Sequence, residues 1–212
     1  MPTSGCRIGI FGGAFDPPHF AHVALATAAI EQAHLDQLLV FPTGFAWHKA
    51  RPLSPATDRL QMARLAFQEI SKVGVDGRET ERTGSTYTVD TLETLQKEHG
   101  GASFALFIGQ DQAAAFTTWH RWQAVLEVAT VFVAEREDTI SRNSCLNVIE
   151  RLREAAEDAG LVPSSVQSLT LPPMAISATD IRQRVAKGLG ICHLVPEAVA
   201  SYIAQHHLYR IS

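Results

Sequence analysis

The sequence predicts an α/β protein built on a doubly wound parallel sheet, with helices on both faces and further helices at the C-terminus. Three observations carry that expectation. Short apolar runs alternate with amphipathic helical patterns along the chain, the signature of a parallel sheet covered on both sides. The first apolar run ends in a double glycine followed by a helix start, where such sheets bring backbone close to a ligand. The chain has 212 residues, 46% of them hydrophobic and 19% charged, which suits a substantial core of its own.

Arg7-Ile8-Gly9-Ile10-Phe11 reads as a buried first strand that ends at the turn Gly12-Gly13. After Asp16-Pro17-Pro18, the spacing of Val23, Ala26, Ile30 and Ala33 predicts a helix with those residues on one face. Leu38 to Phe41 is a second strand, closed by Pro42-Thr43-Gly44. A helix is expected over 55–70, with Leu60, Ala63, Phe67 and Ile70 inward. Val73-Gly74-Val75 is a third strand, and 76–83 a charged loop. A helix over 86–99 carries Val89, Leu92 and Leu95 inward, and 103–108 is a strongly apolar strand ending at Gly109. Further strands are expected over 130–134 and 169–171, and an amphipathic helix over 143–159. The polar stretch 138–144 is the one linker-like segment, too short to separate domains. Two last helices are expected near 177–187 and 196–206. No internal repeat or low-complexity tract is visible.

The formal net charge of −4 offers no basic field for nucleic acid, so any anion site must be built from local donors. Cys6, Cys145 and Cys192 are three, odd in number and without a CxxC pair, which suggests neither a disulfide framework nor a zinc site. No basic leader precedes an apolar run, and polar residues break every apolar stretch before about 18 positions. A cytoplasmic location without a membrane partner is the expectation.

The first turn carries most of the chemistry: Gly12-Gly13-Ala14-Phe15-Asp16-Pro17-Pro18-His19-Phe20-Ala21-His22. Two glycines let the backbone turn sharply, and Pro18 suits a helix opening. The helix that follows is expected to offer free N–H groups and a positive dipole end to phosphate. His19 and His22 are three apart and project from one side of its first turn, where two imidazoles can donate to phosphate oxygens. The competing reading is that one of them caps the helix or packs locally. No GxxxxGK[ST] occurs and the turn is not GxGxxG, which removes the main support for a P-loop enzyme or a dinucleotide-binding dehydrogenase.

The segment from Gly12 to His22 resembles the (T/H)xGH signature of the nucleotidyltransferase superfamily in its GGTFDPxHxGH form. Within it, the chain resembles the bacterial nicotinate-mononucleotide adenylyltransferases nearly end to end. Supporting segments are Trp47-His48-Lys49, Ser85-Thr86-Tyr87-Thr88-Val89-Asp90-Thr91-Leu92, Phe107-Ile108-Gly109-Gln110-Asp111, Thr118-Trp119-His120 and Ile176-Ser177-Ala178-Thr179-Asp180-Ile181-Arg182. Ala14 stands where relatives carry threonine and Ala21 where they carry glycine; both are small, so tolerance is expected.

The resemblance implies a single Rossmann-like nucleotidyltransferase domain over 1–212, helical from about 177. It implies transfer of AMP from ATP to nicotinate mononucleotide, with Mg²⁺ travelling on the ATP phosphates, because no tight acidic ligand cluster is visible. It places Gly12, Gly13, Phe15, His19, His22, Gly109, Asp111, Ser177, Thr179 and Arg182 at ATP. Among these, His19, His22 and Arg182, together with Lys49, are expected to carry catalysis. Asp111 would accept from ribose hydroxyls, or else cap the following helix. Ser177 and Thr179 with Arg182 suit the triphosphate, and Ser177 with Asp180 also reads as a helix cap. The acceptor is expected at His48, Lys49, Thr88, Trp119, His120 and Arg136, with Trp119 stacking on the pyridine ring and backbone near Thr88 and His120 meeting its carboxylate. Trp122 is left to the core. A sister enzyme with another phosphorylated acceptor, a non-catalytic nucleotide sensor and a nucleic-acid-binding module remain as alternatives, and a homo-oligomer is left open.

Overall fold

The computed structural model describes residues 5–44, 53–82, 84–136 and 139–210; for Arg136 and 139–146 it describes the backbone alone. Six strands form a sheet: β1 (Arg7–Gly13), β2 (Gln37–Pro42), β3 (Val73–Val75), β4 (Ser103–Ile108), β5 (Ala129–Arg136) and β6 (Val166–Leu171). Their order is β3-β2-β1-β4-β5-β6, the doubly wound order that reverses between β1 and β4. The pairings of β1 with β4, β4 with β5 and β5 with β6 are parallel. Such strands are buried on both faces and therefore read as continuous apolar runs. In β4, Phe104 to Ile108 are all buried, and Phe107 stacks on Phe132 of β5 at 5.1 Å. Gly9 is required at the centre of β1, because a Cβ there would collide with Leu35 and Leu38.

The chain forms two compact units. The first comprises Met1–Gly12, Ala28–Leu39 and Tyr87–Pro173; the second comprises Gly13–Thr27, Val40–Thr86 and Met174–Ser212. In the first unit, α4 (Thr88–Glu98) buries Val89, Leu92 and Leu95 completely, as their spacing requires. There too, α7 (Thr139–Asp158) buries Ile149, Leu152 and Ala156, and the Arg153 guanidinium donates to the Val166 carbonyl at 2.9 and 3.0 Å. In the second unit lie α2 (Ala56–Phe67), the short α3 (Arg78–Glu81), α8 (Ala178–Ala186) and α9 (Glu197–Gln205). The helix after β1, α1 (Phe20–Gln32), begins in the second unit and ends in the first.

Several expectations need correction. β1 continues through Gly12 and Gly13 instead of turning there, and α1 starts at Phe20, two residues after Pro18. Its buried residues are Leu25, Ala26, Ala28 and Ala29, with Val23 and Ile30 only half-buried. β2 runs on into Pro42. The inward face of α2 is Arg59, Met62, Ala63, Ala66 and Phe67, rotated from the expected one; Leu60 is half-buried and Ile70 lies beyond the helix end. A long cationic side chain counted as polar hides this face, although Arg59 sits at its i, i+3, i+4, i+7 positions. The charged loop over 76–83 contains α3, whose start is set by Asp76 accepting from the Arg78 backbone N–H at 2.9 Å and its Nε at 2.8 Å.

After β4 come three short elements that periodicity does not separate: α5 (Gln110–Ala114), a 3₁₀ turn (Phe116–Thr118) and α6 (Trp122–Val128). The linker-like stretch 138–144 is helical from Thr139, since the apolar face further along α7 propagates helix backward through residues of weak propensity. A second 3₁₀ turn (Pro163–Ser165) precedes β6. Among the described residues no helix is long and apolar enough to cross a membrane.

Candidate active site

In the second unit the signature turn is anchored by its own aromatic residue. Phe15 adopts φ +47°, a left-handed conformation that a bulky residue holds only when packing fixes it. Its ring is 1% exposed and lies edge-on to His22 at 5.1 Å and to Phe67 at 5.8 Å. A Cβ on Gly13 would come within 3.0 Å of that ring, so the second glycine is a packing requirement. Phe15 therefore meets any nucleotide through its backbone, with its side chain committed to the core. Gly12 differs. Among the described residues, a Cβ there would touch nothing within 4 Å, so packing does not demand the glycine and close approach of a ligand remains a reason for it.

The start of α1 is organised by the two histidines. The His19 carbonyl accepts from Val23 at 3.2 Å, which makes His19 the N-cap and His22 the third helical residue. The His19 backbone N–H donates to Nδ1 of His22 at 3.2 Å, the half of a capping box usually supplied by Glu or Gln. With Nδ1 accepting, a neutral His22 carries its proton on Nε2 and presents a donor there. The rings stack at 3.8 Å with 27° between planes. The capping reading and the phosphate reading of this pair thus hold together.

His19 is 7% exposed, and burial pulls its pKa down to about 4. It is a neutral ring at pH 7, and its buried Nδ1 has no hydrogen-bond partner among the described residues. Several of the N–H groups expected to be bare at this helix end are engaged. His19 N–H goes to His22, Phe20 N–H to the Leu194 carbonyl at 3.0 Å, and His22 N–H to the His19 carbonyl at 2.8 Å. The polar capacity of this corner lies in imidazole nitrogens more than in main-chain donors.

Arg182 joins the same corner from α8. Its Nη1 donates to the Asp16 carbonyl at 2.7 Å and its Nη2 to Thr179 Oγ1 at 3.0 Å. Ser177 is the N-cap of α8 and accepts from the Asp180 N–H at 3.2 Å, as its spacing predicts. Ser177 and Thr179 are exposed.

Beneath the turn lies a residue that sequence reasoning did not single out. Arg59 is 1% exposed and donates to four backbone carbonyls: Nε to Ser54 at 3.0 Å, Nη1 to Ala14 at 3.0 Å and Thr43 at 2.6 Å, and Nη2 to Gly44 at 3.1 Å. Only a planar fork of donors reaches four loop carbonyls at once. Burial lowers its pKa and the Asp16 charge raises it. Arg59 thereby holds the backbone of the turn at Ala14.

In the first unit, Gly109 is the N-cap of α5, and the Gln112 side chain reaches back to its N–H at 3.4 Å. A Cβ on Gly109 would touch nothing within 4 Å among the described residues. Asp111 is exposed and inside α5, so it is not the cap of that helix. The Tyr87 and His120 rings meet at 4.5 Å, which brings Thr88, the first residue of α4, to the segment carrying Trp119 and His120. Trp119 lies between the 3₁₀ turn and α6, half-buried, with its ring 5.0 Å from the fully buried Phe116. Trp122 opens α6 and approaches Phe116 edge-on at 6.3 Å. The two tryptophans share a platform, not a helix face, and Trp122 is half-buried. Arg136 ends β5, paired with Leu171 of β6. His48 and Lys49 lie outside the described residues.

The residues missed by sequence reasoning are Arg59, Asp16, Tyr87 and Tyr209. The position of Arg59 on an apolar stripe was the available signal; Asp16 and Tyr87 lie inside the motif segments quoted above, but their partners, like those of Tyr209, show only once distant segments meet.

Comparison with known proteins gives the family. A family model described as cytidylyltransferase-like matches residues 10–184. A protein of Albidiferax ferrireducens named "Probable nicotinate-nucleotide adenylyltransferase" is 48% identical over 204 residues, covering 96% of this chain and 98% of its own length. A protein of the same name from Bordetella avium is 38% identical over equal coverage. Among solved structures, nicotinic acid mononucleotide adenylyltransferase of Plasmodium falciparum, complexed with APC, has a TM-score of 0.74 at 20% identity and covers 96% of this chain and 97% of its own. At that identity the likeness speaks for the fold. A match to curated relatives across nearly the whole length, with the signature turn and Arg182 inside the family model, leaves one conclusion: the chain belongs to the nicotinate-nucleotide adenylyltransferases of the cytidylyltransferase-like family.

Proposed function

We propose that the chain catalyses adenylyl transfer from ATP to nicotinate mononucleotide, giving nicotinate adenine dinucleotide and pyrophosphate. The observation that carries this reading is the stacked pair His19 and His22 at the start of α1, beside the Arg182 guanidinium held on the Asp16 carbonyl. One neutral and one capping imidazole with a fork of charge is a set of donors for phosphate oxygens, and neither ring is assigned as nucleophile or base.

The reaction needs none. An oxygen of the acceptor's phosphate attacks the α-phosphorus of ATP in line. The new O–P bond forms as the bond from that phosphorus to the bridging oxygen breaks, and pyrophosphate leaves with the electron pair. Catalysis then consists of holding two polyanions together and stabilising charge in transfer. His22 Nε2 and Arg182 are assigned to the oxygens of the transferring and leaving phosphates, with Thr179 and Ser177 on the tail. Lys49 and His48 are proposed to bridge to the acceptor phosphate. Gly109 and Asp111 are assigned to the ATP ribose, Trp119 to the pyridine face, and backbone near Thr88 and His120 to the carboxylate. Arg136 is a further candidate for the acceptor.

Mg²⁺ enters as part of the substrate, on the ATP phosphates. Histidine and arginine donors at the turn do not fit a protein-held magnesium, which takes oxygen ligands. The Asp16 carboxylate is already engaged by Tyr209 and Ser54.

The test is pyrophosphate release from ATP and Mg²⁺ with nicotinate mononucleotide and, in parallel, nicotinamide mononucleotide. Fast release with the acid and little with the amide is expected. Release with neither acceptor would overturn the reading.

A further inference from the structure

The turn that carries the histidines is tied to the far end of the chain. Tyr209 donates its hydroxyl to Asp16 Oδ1 at 2.7 Å, across 193 positions of sequence. Asp16 is 2% exposed, and its other oxygen accepts from the Ser54 N–H at a longer 3.3 Å. Its own carbonyl is what Arg182 grips. One residue therefore links three things: the C-terminal segment through its carboxylate, the α8 guanidinium through its backbone, and His19 three residues along the chain.

We propose that Tyr209 is a positioning residue for adenylyl transfer, its hydroxyl fixing the Asp16 carboxylate and through it the geometry of His19, His22 and Arg182. The inference rests on the adenylyl-transfer reading of the site. Three features support it. At 2.7 Å the contact falls within the range of hydroxyl–carboxylate bonds, which are strong because one partner is charged. Burial, reinforced by the Asp16 charge, raises the Tyr209 pKa, so the phenol stays protonated and remains a donor at working pH. Tyr209 also sits at φ +63°, a conformation that a non-glycine residue keeps only where surrounding contacts hold it. A fixed carboxylate in turn keeps the following carbonyl aimed at Arg182. Small misplacements of such groups translate into large losses of rate.

The same unit contains its own control. Tyr202 of α9 donates to Asp58 of α2 at 2.8 Å, the same chemistry at a carboxylate that does not belong to the turn. Tyr209→Phe and Tyr202→Phe each remove one hydroxyl and leave the ring. Three readouts are compared with the unchanged protein: the urea midpoint, kcat/KM for ATP at saturating acceptor, and the dissociation constant of a non-cleavable ATP analogue. Tyr209→Phe is expected to lower kcat/KM about tenfold and weaken the analogue, while Tyr202→Phe keeps both within about twofold at a similar change in midpoint. The proposal is overturned if Tyr209→Phe leaves both kinetic and binding values within that range, or if Tyr202→Phe falls as far. In a double variant with Asp16→Asn, adding Tyr209→Phe should weaken the analogue no further than Asp16→Asn alone. Additive losses would mean that the tyrosine acts by another route. Should the unchanged protein bind the analogue but release no pyrophosphate, the reaction reading fails while the binding comparison still decides the role of Tyr209.

Discussion

His19 shows how burial assigns a chemical state to one side chain. Its ring is buried and stacked on His22, and burial lowers its pKa from 6.5 to about 4. The unfolded chain therefore binds a proton before the folded one does. Stability is undiminished above pH 6.5 and is lost as pH falls toward 4, because the unfolded state alone takes up the proton in that window. At pH 4.5 the loss from this one group is about 2.5 kcal/mol. Urea unfolding of the unchanged protein and of His19→Asn at pH 7.5 and pH 4.5 measures it. The difference between the two proteins should shift in favour of the variant at low pH by about that amount. An unchanged difference would mean that the ring is hydrated and its proton free to come and go. The sequence showed the pair, its spacing and a capping or packing alternative for one of them, but not which ring is buried, since burial depends on segments that meet only in the fold.

At the scale of elements, what was legible followed from period and composition. The strand 103–108 and the buried face of α4 were as expected because a doubly covered strand and a 3.6-residue stripe leave unambiguous patterns. The segment after β4 was not, because α5, the 3₁₀ turn and α6 are each too short to show a period. Their order comes from Phe116, which packs against both Trp119 and Trp122. Arg59 was missed because four loop carbonyls, absent from any helical pattern, determine its direction. Helix α8 supports a sharper test, because its cap and the role proposed for it at the triphosphate share one residue. Ser177→Ala removes the acceptor for the Asp180 N–H and should cost about 1 kcal/mol. Ser177→Asp keeps a good cap and hence the stability, yet adds negative charge where the triphosphate is assigned. ATP affinity in that variant should fall by about tenfold, read by titration with a non-cleavable analogue. Stability and affinity falling together in Ser177→Asp would instead make the serine a purely structural cap.

For the whole molecule, the doubly wound order was readable as a class from alternating strands and helices, while its division into two units was not. The units are assembled from three segments each, and no change of composition marks where one gives way to the other. The residues proposed as phosphate donors and those proposed for the pyridine ring and its carboxylate divide with them. His19, His22, Ser177, Thr179 and Arg182 belong to the second unit, whereas Thr88, Trp119 and His120 belong to the first. Amide hydrogen exchange with each ligand separately should therefore report two different sets of peptides. A non-cleavable ATP analogue alone should slow exchange over 12–22, 109–112 and 176–182, and nicotinate mononucleotide alone over 86–92 and 116–122. Trp119→Ala should remove the second pattern and leave the first, since loss of one stacking face weakens a base-like ring by about 1–3 kcal/mol and leaves the phosphate donors untouched. If the variant loses both patterns together, Trp119 supports the fold through Phe116 and does not receive the pyridine ring. If the acceptor alone protects neither of its segments, the assignment of Thr88 and His120 to its carboxylate falls, even where turnover is observed.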